Sequence, residues 1–165
     1  VSGASRNTIV NCISSTNTGY GFDLQDSTTL DSCVAQDNSL DGVIINGAGD
    51  ATASSVTSCI VSGNQQNGIN VFFVNGNTIV GNRISYGTAT DNTYSGIFVN
   101  GTSTHNTVIG NRVFVPSGTM NFAYSYRESS SDDNSNLIDG NIFTGAGTQI
   151  GTQGANSVVG NNITS

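Results

Sequence analysis

Apolar residues recur along this chain in two short motifs that alternate from one end to the other. The first reads apolar-x-polar-x-apolar. Its copies are Ile9-Val10-Asn11-Cys12-Ile13, Leu30-Asp31-Ser32-Cys33-Val34, Val56-Thr57-Ser58-Cys59-Ile60, Val80-Gly81-Asn82-Arg83-Ile84, Ile109-Gly110-Asn111-Arg112-Val113 and Val159-Gly160-Asn161-Asn162-Ile163. Residues 137–143 supply a seventh copy that fits in either of two registers. The second motif, Gly-apolar-x-apolar, falls between them as Gly21-Phe22-Asp23-Leu24, Gly42-Val43-Ile44-Ile45, Gly68-Ile69-Asn70-Val71 and Gly96-Ile97-Phe98-Val99, with Phe122-Ala123-Tyr124 as a degenerate fifth. Period-two alternation over a few residues marks a half-buried strand, and self-similarity at a fixed spacing marks a repeat architecture. From Ile13 to Ile163 the first motif recurs every 25 residues on average. That period is too long for hexapeptide coils and lacks a leucine-rich frame, which leaves the right-handed parallel β-helix. The expectation is therefore an all-β solenoid of about seven coils. It forms one domain over residues 1–165, either a segment of a longer protein or a protomer that assembles.

Composition narrows the function. Only 35% of residues are hydrophobic and 9% charged, against roughly 45–50% and about 25% in an average globular protein. With no lysine, one glutamate and 21 glycines, the composition argues against a helical bundle. The net charge of −7 argues against nucleic acid and anionic membrane surfaces as partners. No apolar run approaches a membrane span, and Val1-Ser2-Gly3-Ala4 lacks the basic start of a leader, so neither is expected. The three cysteines show no metal-ligand spacing. No metal or cofactor is expected.

In a β-helix equivalent positions stack about 4.8 Å apart into ladders. Asn11, Asn82, Asn111 and Asn161 read as one corner ladder, because stacked amides bond from coil to coil and asparagine tolerates left-handed backbone. Cys12, Cys33 and Cys59 read as one column continued by Arg83 and Arg112. Sharing a column with arginine places the thiols outward, and parallel stacked side chains do not favour disulfides.

Two stretches carry a resemblance. Gly19-Tyr20-Gly21-Phe22-Asp23-Leu24-Gln25-Asp26, followed by Cys33-Val34-Ala35-Gln36-Asp37-Asn38-Ser39-Leu40-Asp41-Gly42, resembles the catalytic β-helix of mannuronan C5-epimerases, and residues 124–128 and 136–141 resemble that family's late coils. In that family a Tyr-Gly-Phe-Asp-Pro-His segment supplies a tyrosine, an aspartate and a histidine. A second aspartate comes from the next coil, and together they remove and return a proton at a uronate C5. The resemblance implies catalytic roles for Tyr20 and Asp23. At the other two positions stand Gln25 and Asn46, amides that can perform neither proton step. His105 is the only histidine and lies some three coils away. The site is thus expected to be incomplete and to lack epimerase activity.

The outward positions of the second motif are Asp23, Gln25, Ile44, Asn46, Asn70, Phe72, Phe98 and Asn100. Amides and carboxylates bond sugar hydroxyls while aromatic rings stack on sugar C–H faces, so this is a carbohydrate face in prospect. Ile44, Phe72 and Phe98 would equally serve as lateral contacts between copies, and open solenoid ends would recruit further strands. Arg127 and Glu128, with Asp132 and Asp133, fall on a Ser-rich segment read as a solvated loop; of these, Arg127 and Glu128 complete the substrate-binding set. A calcium site there has no motif behind it. The expected function is an extracellular or virion-surface module that binds polysaccharide. The alternatives are an active polyuronate epimerase, lyase or hydrolase, and a structural solenoid that self-associates.

Overall fold

The computed structural model describes residues 6–25, 27–47, 53–87, 93–115, 122–151 and 154–165. They form short strands in three parallel sheets. The first sheet holds β1 (Thr8–Val10), β4 (Thr29–Asp31), β7 (Ser55–Thr57), β10 (Thr78–Val80), β13 (Thr107–Ile109), β16 (Leu137–Asp139) and β19 (Val158–Val159). The second holds β2 (Ile13–Ser15), β5 (Val34–Gln36), β8 (Ile60–Gly63), β11 (Arg83–Gly87), β14 (Arg112–Phe114), β17 (Ile142–Thr144) and β20 (Ile163–Thr164). The third holds β3 (Phe22–Leu24), β6 (Val43–Asn46), β9 (Ile69–Phe72), β12 (Ser95–Asn100), β15 (Tyr124–Glu128) and β18 (Thr148–Gly151). Each strand pairs with the strand three places on in sequence. The chain is a parallel β-helix whose first two sheets run through seven coils.

The core is built from inward columns. Ile9, Leu30, Val56, Ile79, Val108 and Ile138 stack in the first sheet, and Ala35, Val61, Ile84, Val113 and Phe143 in the second. In the third, Val43, Ile69, Ile97 and Tyr126 stack beside Leu24, Ile45, Val71 and Val99. Nearly all of these are fully buried. The glycine of the second motif is required by close approach. A Cβ at Gly42 or Gly96 would run into Val61 or Val113 of the second sheet, and at Gly21 it would meet Asn38 Nδ2 at 2.7 Å.

Register corrects two expectations. The cysteines align one residue earlier than the arginines. Cys33 N–H donates to Cys59 Sγ at 3.4 Å, and Cys59 N–H to Asn82 Oδ1 at 2.9 Å, so the column runs Cys12, Cys33, Cys59, Asn82, Asn111, Asn141, Asn162. Its side chains point inward: Cys33 and Cys59 are buried free thiols, and only Cys12, on the first coil, is exposed. Arg83 and Arg112 instead share an outward column with Ile13, Val34, Ile60, Ile142 and Ile163. A one-residue slip exchanges the faces of a strand, and these outward aliphatics disguised the true register in the sequence.

For the same reason Asn11 and Asn161 leave the amide ladder. They fall in the adjacent column with Ser32, Ser58, Gly81, Gly110 and Gly140, where Asn11, the two serines and the three glycines have φ between 53° and 66°. Two further ladders, Asn77-Asn106-Asn136 and Asn17-Asn38-Asn64, close the other corners. Between consecutive asparagines of a ladder, Oδ1 of the later residue accepts both the backbone N–H and the side-chain N–H of the earlier one. Among the described residues no buried side-chain polar atom lacks a partner.

Candidate functional site

The third sheet gathers most of the expected site on its outer surface. One outward column runs Asp23, Ile44, Asn70, Phe98, Arg127, and the next runs Asn46, Phe72, Asn100, with Gln25 at the level below Asn46. The columns stand side by side because β-strand side chains alternate faces and parallel coils repeat without stagger. Tyr20 is exposed at the corner before β3, on the first coil with Asp23. His105 sits in the turn between β12 and β13, at least three coils away, where its Nδ1 lies 2.8 Å from Thr104 Oγ1.

At the far end of this face Arg127 is held between two rings. Its guanidinium lies 5.1 Å from the centroids of both Phe98 and Tyr124. Stacking fixes the guanidinium plane while leaving its donors for a ligand. Arg127 therefore stands on strand β15 and not on a solvated loop. Phe72 is half-buried and meets Phe73 edge-on at 4.4 Å.

Three expectations fail on burial. Glu128, next along β15, points inward and is fully buried, so it cannot reach a ligand on this face. Its carboxylate accepts Tyr126 OH at 2.9 Å, Asn136 Nδ2 at 2.8 Å, Ser157 Oγ at 2.7 Å and Gly154 N–H at 3.0 Å. Burial and the neighbouring Glu128 charge hold the Tyr126 phenol well above its ordinary pKa. Alternation along the strand is the reason: Arg127 outward forces Glu128 inward. Asp133 is also buried, accepting the backbone N–H groups of Ser129, Ser130 and Ser103 at 2.8–3.1 Å, so it organises its turn. Ile44 is only 4% exposed and offers no lateral surface.

Asp41 is the residue that the motif reading missed. It precedes Gly42, at the level above Tyr20, and is buried. Its Oδ1 accepts Asn67 N–H at 2.8 Å and Asn67 Nδ2 at 2.9 Å; its Oδ2 accepts Asn70 Nδ2 at 2.9 Å. Asn70 Oδ1 in turn accepts Asn100 Nδ2 at 2.9 Å. A directed chain thus runs from Asn100 through Asn70 to the Asp41 carboxylate, locking two of the expected sugar-binding amides. Burial outweighs these hydrogen bonds and raises the Asp41 pKa above its ordinary value. The Asp23 carboxyl is also raised, by partial desolvation. The position before each motif glycine, Asp41, Asn67 and Ser95, was the available signal.

Comparison with known proteins adds the lineage. A family model described as a right-handed β-helix region matches residues 1–163. The chain belongs to the right-handed β-helix family. Among solved structures, this β-helix is similar to the A-module of the Azotobacter vinelandii mannuronan C-5 epimerase AlgE6, with a TM-score of 0.79 and 19% identity, covering 98% of this chain and 49% of that one. It is also similar to the AlgE4 A-module from the same organism, with a TM-score of 0.68 and 13% identity, covering 93% of this chain and 57% of that one. The β-helix spans about half the length of these modules. No curated protein matches it at a significant level.

Proposed function

We propose that this β-helix binds an acidic polysaccharide across the outer face of its third sheet and does not turn it over. The observation that carries the reading is the register of the third sheet, which sets Tyr20, Asp23, Asn46, Asn70, Phe98 and Arg127 on successive coils of its outer side. Arg127 between its two rings offers charge to a sugar acid and an aromatic flank to a sugar ring. Gln25 and Asn46 stand where a proton-transferring group would be needed; they can only donate and accept hydrogen bonds. Similarity to modules described as mannuronan C-5 epimerases supports a uronate polymer as the substance to try first. Such a module would act outside the cell or on a virion, where these polymers are met.

The test is calorimetric titration with mannuronate oligomers, paired with NMR of the polymer after incubation in deuterated buffer. Saturable binding, weakened about tenfold by Phe98→Ala with Arg127→Gln, is expected, each contact being worth roughly 0.5–1.5 kcal/mol. No deuterium should enter H5. Exchange at H5 would establish the catalytic alternative and return Tyr20 and Asp23 to the reaction. Absence of binding would overturn the reading.

A further inference from the structure

The chain has four arginines and no lysine, and two of the arginines stand against each other. Arg83 and Arg112 are register partners on β11 and β14, interior strands of the second sheet, and both are exposed. Both guanidinium groups lie over one ring, Phe114, at 4.6 and 5.0 Å from its centroid. Like charges directly opposite each other in a sheet repel. The other levels of the column carry Ile13, Val34, Ile60, Ile142 and Ile163, so the fold itself is content with an aliphatic residue here. Among the described residues no carboxylate pairs with either arginine. The ring beneath fixes each guanidinium plane and leaves its N–H fork available.

We propose that Arg83 and Arg112 form a second binding site, which seats the acid group, carboxylate or sulfate, of an acidic sugar chain lying along the second-sheet face. Two guanidinium forks one coil apart suit an oxyanion with several acceptor oxygens. Ile60 and Ile142, the levels on either side, are 41% and 38% exposed and present apolar contact for sugar C–H faces. Ser85 and Thr144 flank Phe114 in the neighbouring outward column and supply hydroxyls. A peptide is disfavoured, since extended peptides dock through main-chain bonds at a sheet edge and β11 and β14 have neighbours on both sides. The net charge of −7 opposes anions at long range, but over about 8 Å at physiological salt that field is screened and the local pair decides.

Only four arginine side-chain Nε–Hε signals exist to be assigned, which makes NMR titration of the whole chain direct. The probes are a hexuronate oligomer, a sulfated oligosaccharide, a neutral oligosaccharide of the same length and hexa-aspartate, all at constant ionic strength. The Arg83 and Arg112 signals should move together and saturably with one or both acidic sugars, the arms telling carboxylate from sulfate. Arg6 should stay still and the neutral sugar should have no effect. Arg83→Gln and, separately, Arg112→Gln should each weaken the response of the remaining arginine about tenfold, the loss of a charge-assisted hydrogen-bonded pair. Phe98→Ala with Arg127→Gln should leave it unchanged, which separates this site from the third-sheet face. Unmoved signals with both acidic sugars would overturn the proposal, as would an equal response to hexa-aspartate or an undiminished response in both single variants.

Discussion

Replacing Asn111 with leucine removes the amide at the centre of the longest ladder while keeping a side chain branched at Cγ, so the lost hydrogen bonds dominate the cost. Asn111 Oδ1 accepts Asn82 N–H at 3.0 Å and Asn82 Nδ2 at 2.9 Å. Its own Nδ2 reaches Ile79 O at 2.9 Å and Asn141 Oδ1 at 3.0 Å. In the leucine variant the buried Asn82 N–H is orphaned. Its Nδ2 keeps one bond, to Val56 O at 2.9 Å, and Asn141 Oδ1 keeps the Asn111 N–H at 2.8 Å. An orphaned buried donor costs about 1–3 kcal/mol. With the partial losses added, Asn111→Leu should destabilise by about 3–5 kcal/mol. The chain contains its own control, because Cys59 in the same column offers sulfur to the Cys33 N–H. Asn111→Cys restores an acceptor for Asn82 N–H and should recover about 1–2 kcal/mol of that loss. Equilibrium urea unfolding followed by far-UV circular dichroism measures both, with the m-value checked because solenoids can unfold in parts. A leucine variant within about 0.5 kcal/mol of wild type, or a cysteine variant no better than leucine, would refute the reasoning.

Further outcomes follow from the same geometry. Gly96→Ala should cost about 1–3 kcal/mol by overpacking, since its Cβ would collide with Val113 and lie 2.8 Å from Ser125 O, while Gly19→Ala, with nothing within 4 Å, should be neutral or slightly stabilising in the same urea assay. Alkylation read by mass spectrometry should modify Cys12 alone in the folded chain and all three thiols in denaturant, because Cys33 and Cys59 are buried and burial pushes the Cys59 thiol up to about 11; rapid native labelling of Cys59 would contradict the inward register. Asp41, whose folded pKa is raised above 3.8 by burial, binds its proton more tightly folded than unfolded. Its contribution to stability is therefore present in acid and declines as pH rises from the unfolded value through the raised folded one. Asp41→Asn should flatten that part of the urea-midpoint profile; identical slopes in both proteins would show that Asp41 does not titrate in this way.

The sequence by itself determined the solenoid, its seven repeats and the existence of an outward face with Asp23, Asn70 and Phe98 in a row, which Arg127 joins only through the pairing of β12 with β15. Period-two alternation and a repeat near 25 residues leave few other ways to bury so small an apolar fraction. It did not determine which of two adjacent residues faces inward wherever both are acceptable on either side. Ile13, Ile60 and Ile142 look like core in one dimension, yet only inter-coil pairing places them in water and Cys33, Cys59 and Asn82 inside. The same limit hid Glu128, which reads as a surface acid until its strand is fixed and Tyr126, Asn136, Ser157 and Gly154 close around it. Asp41 and its amide chain, and the two arginines over Phe114, join residues from different coils. Such contacts are set by how coils stack, and tertiary structure alone decides them, because a shift of one residue in register would dissolve every one.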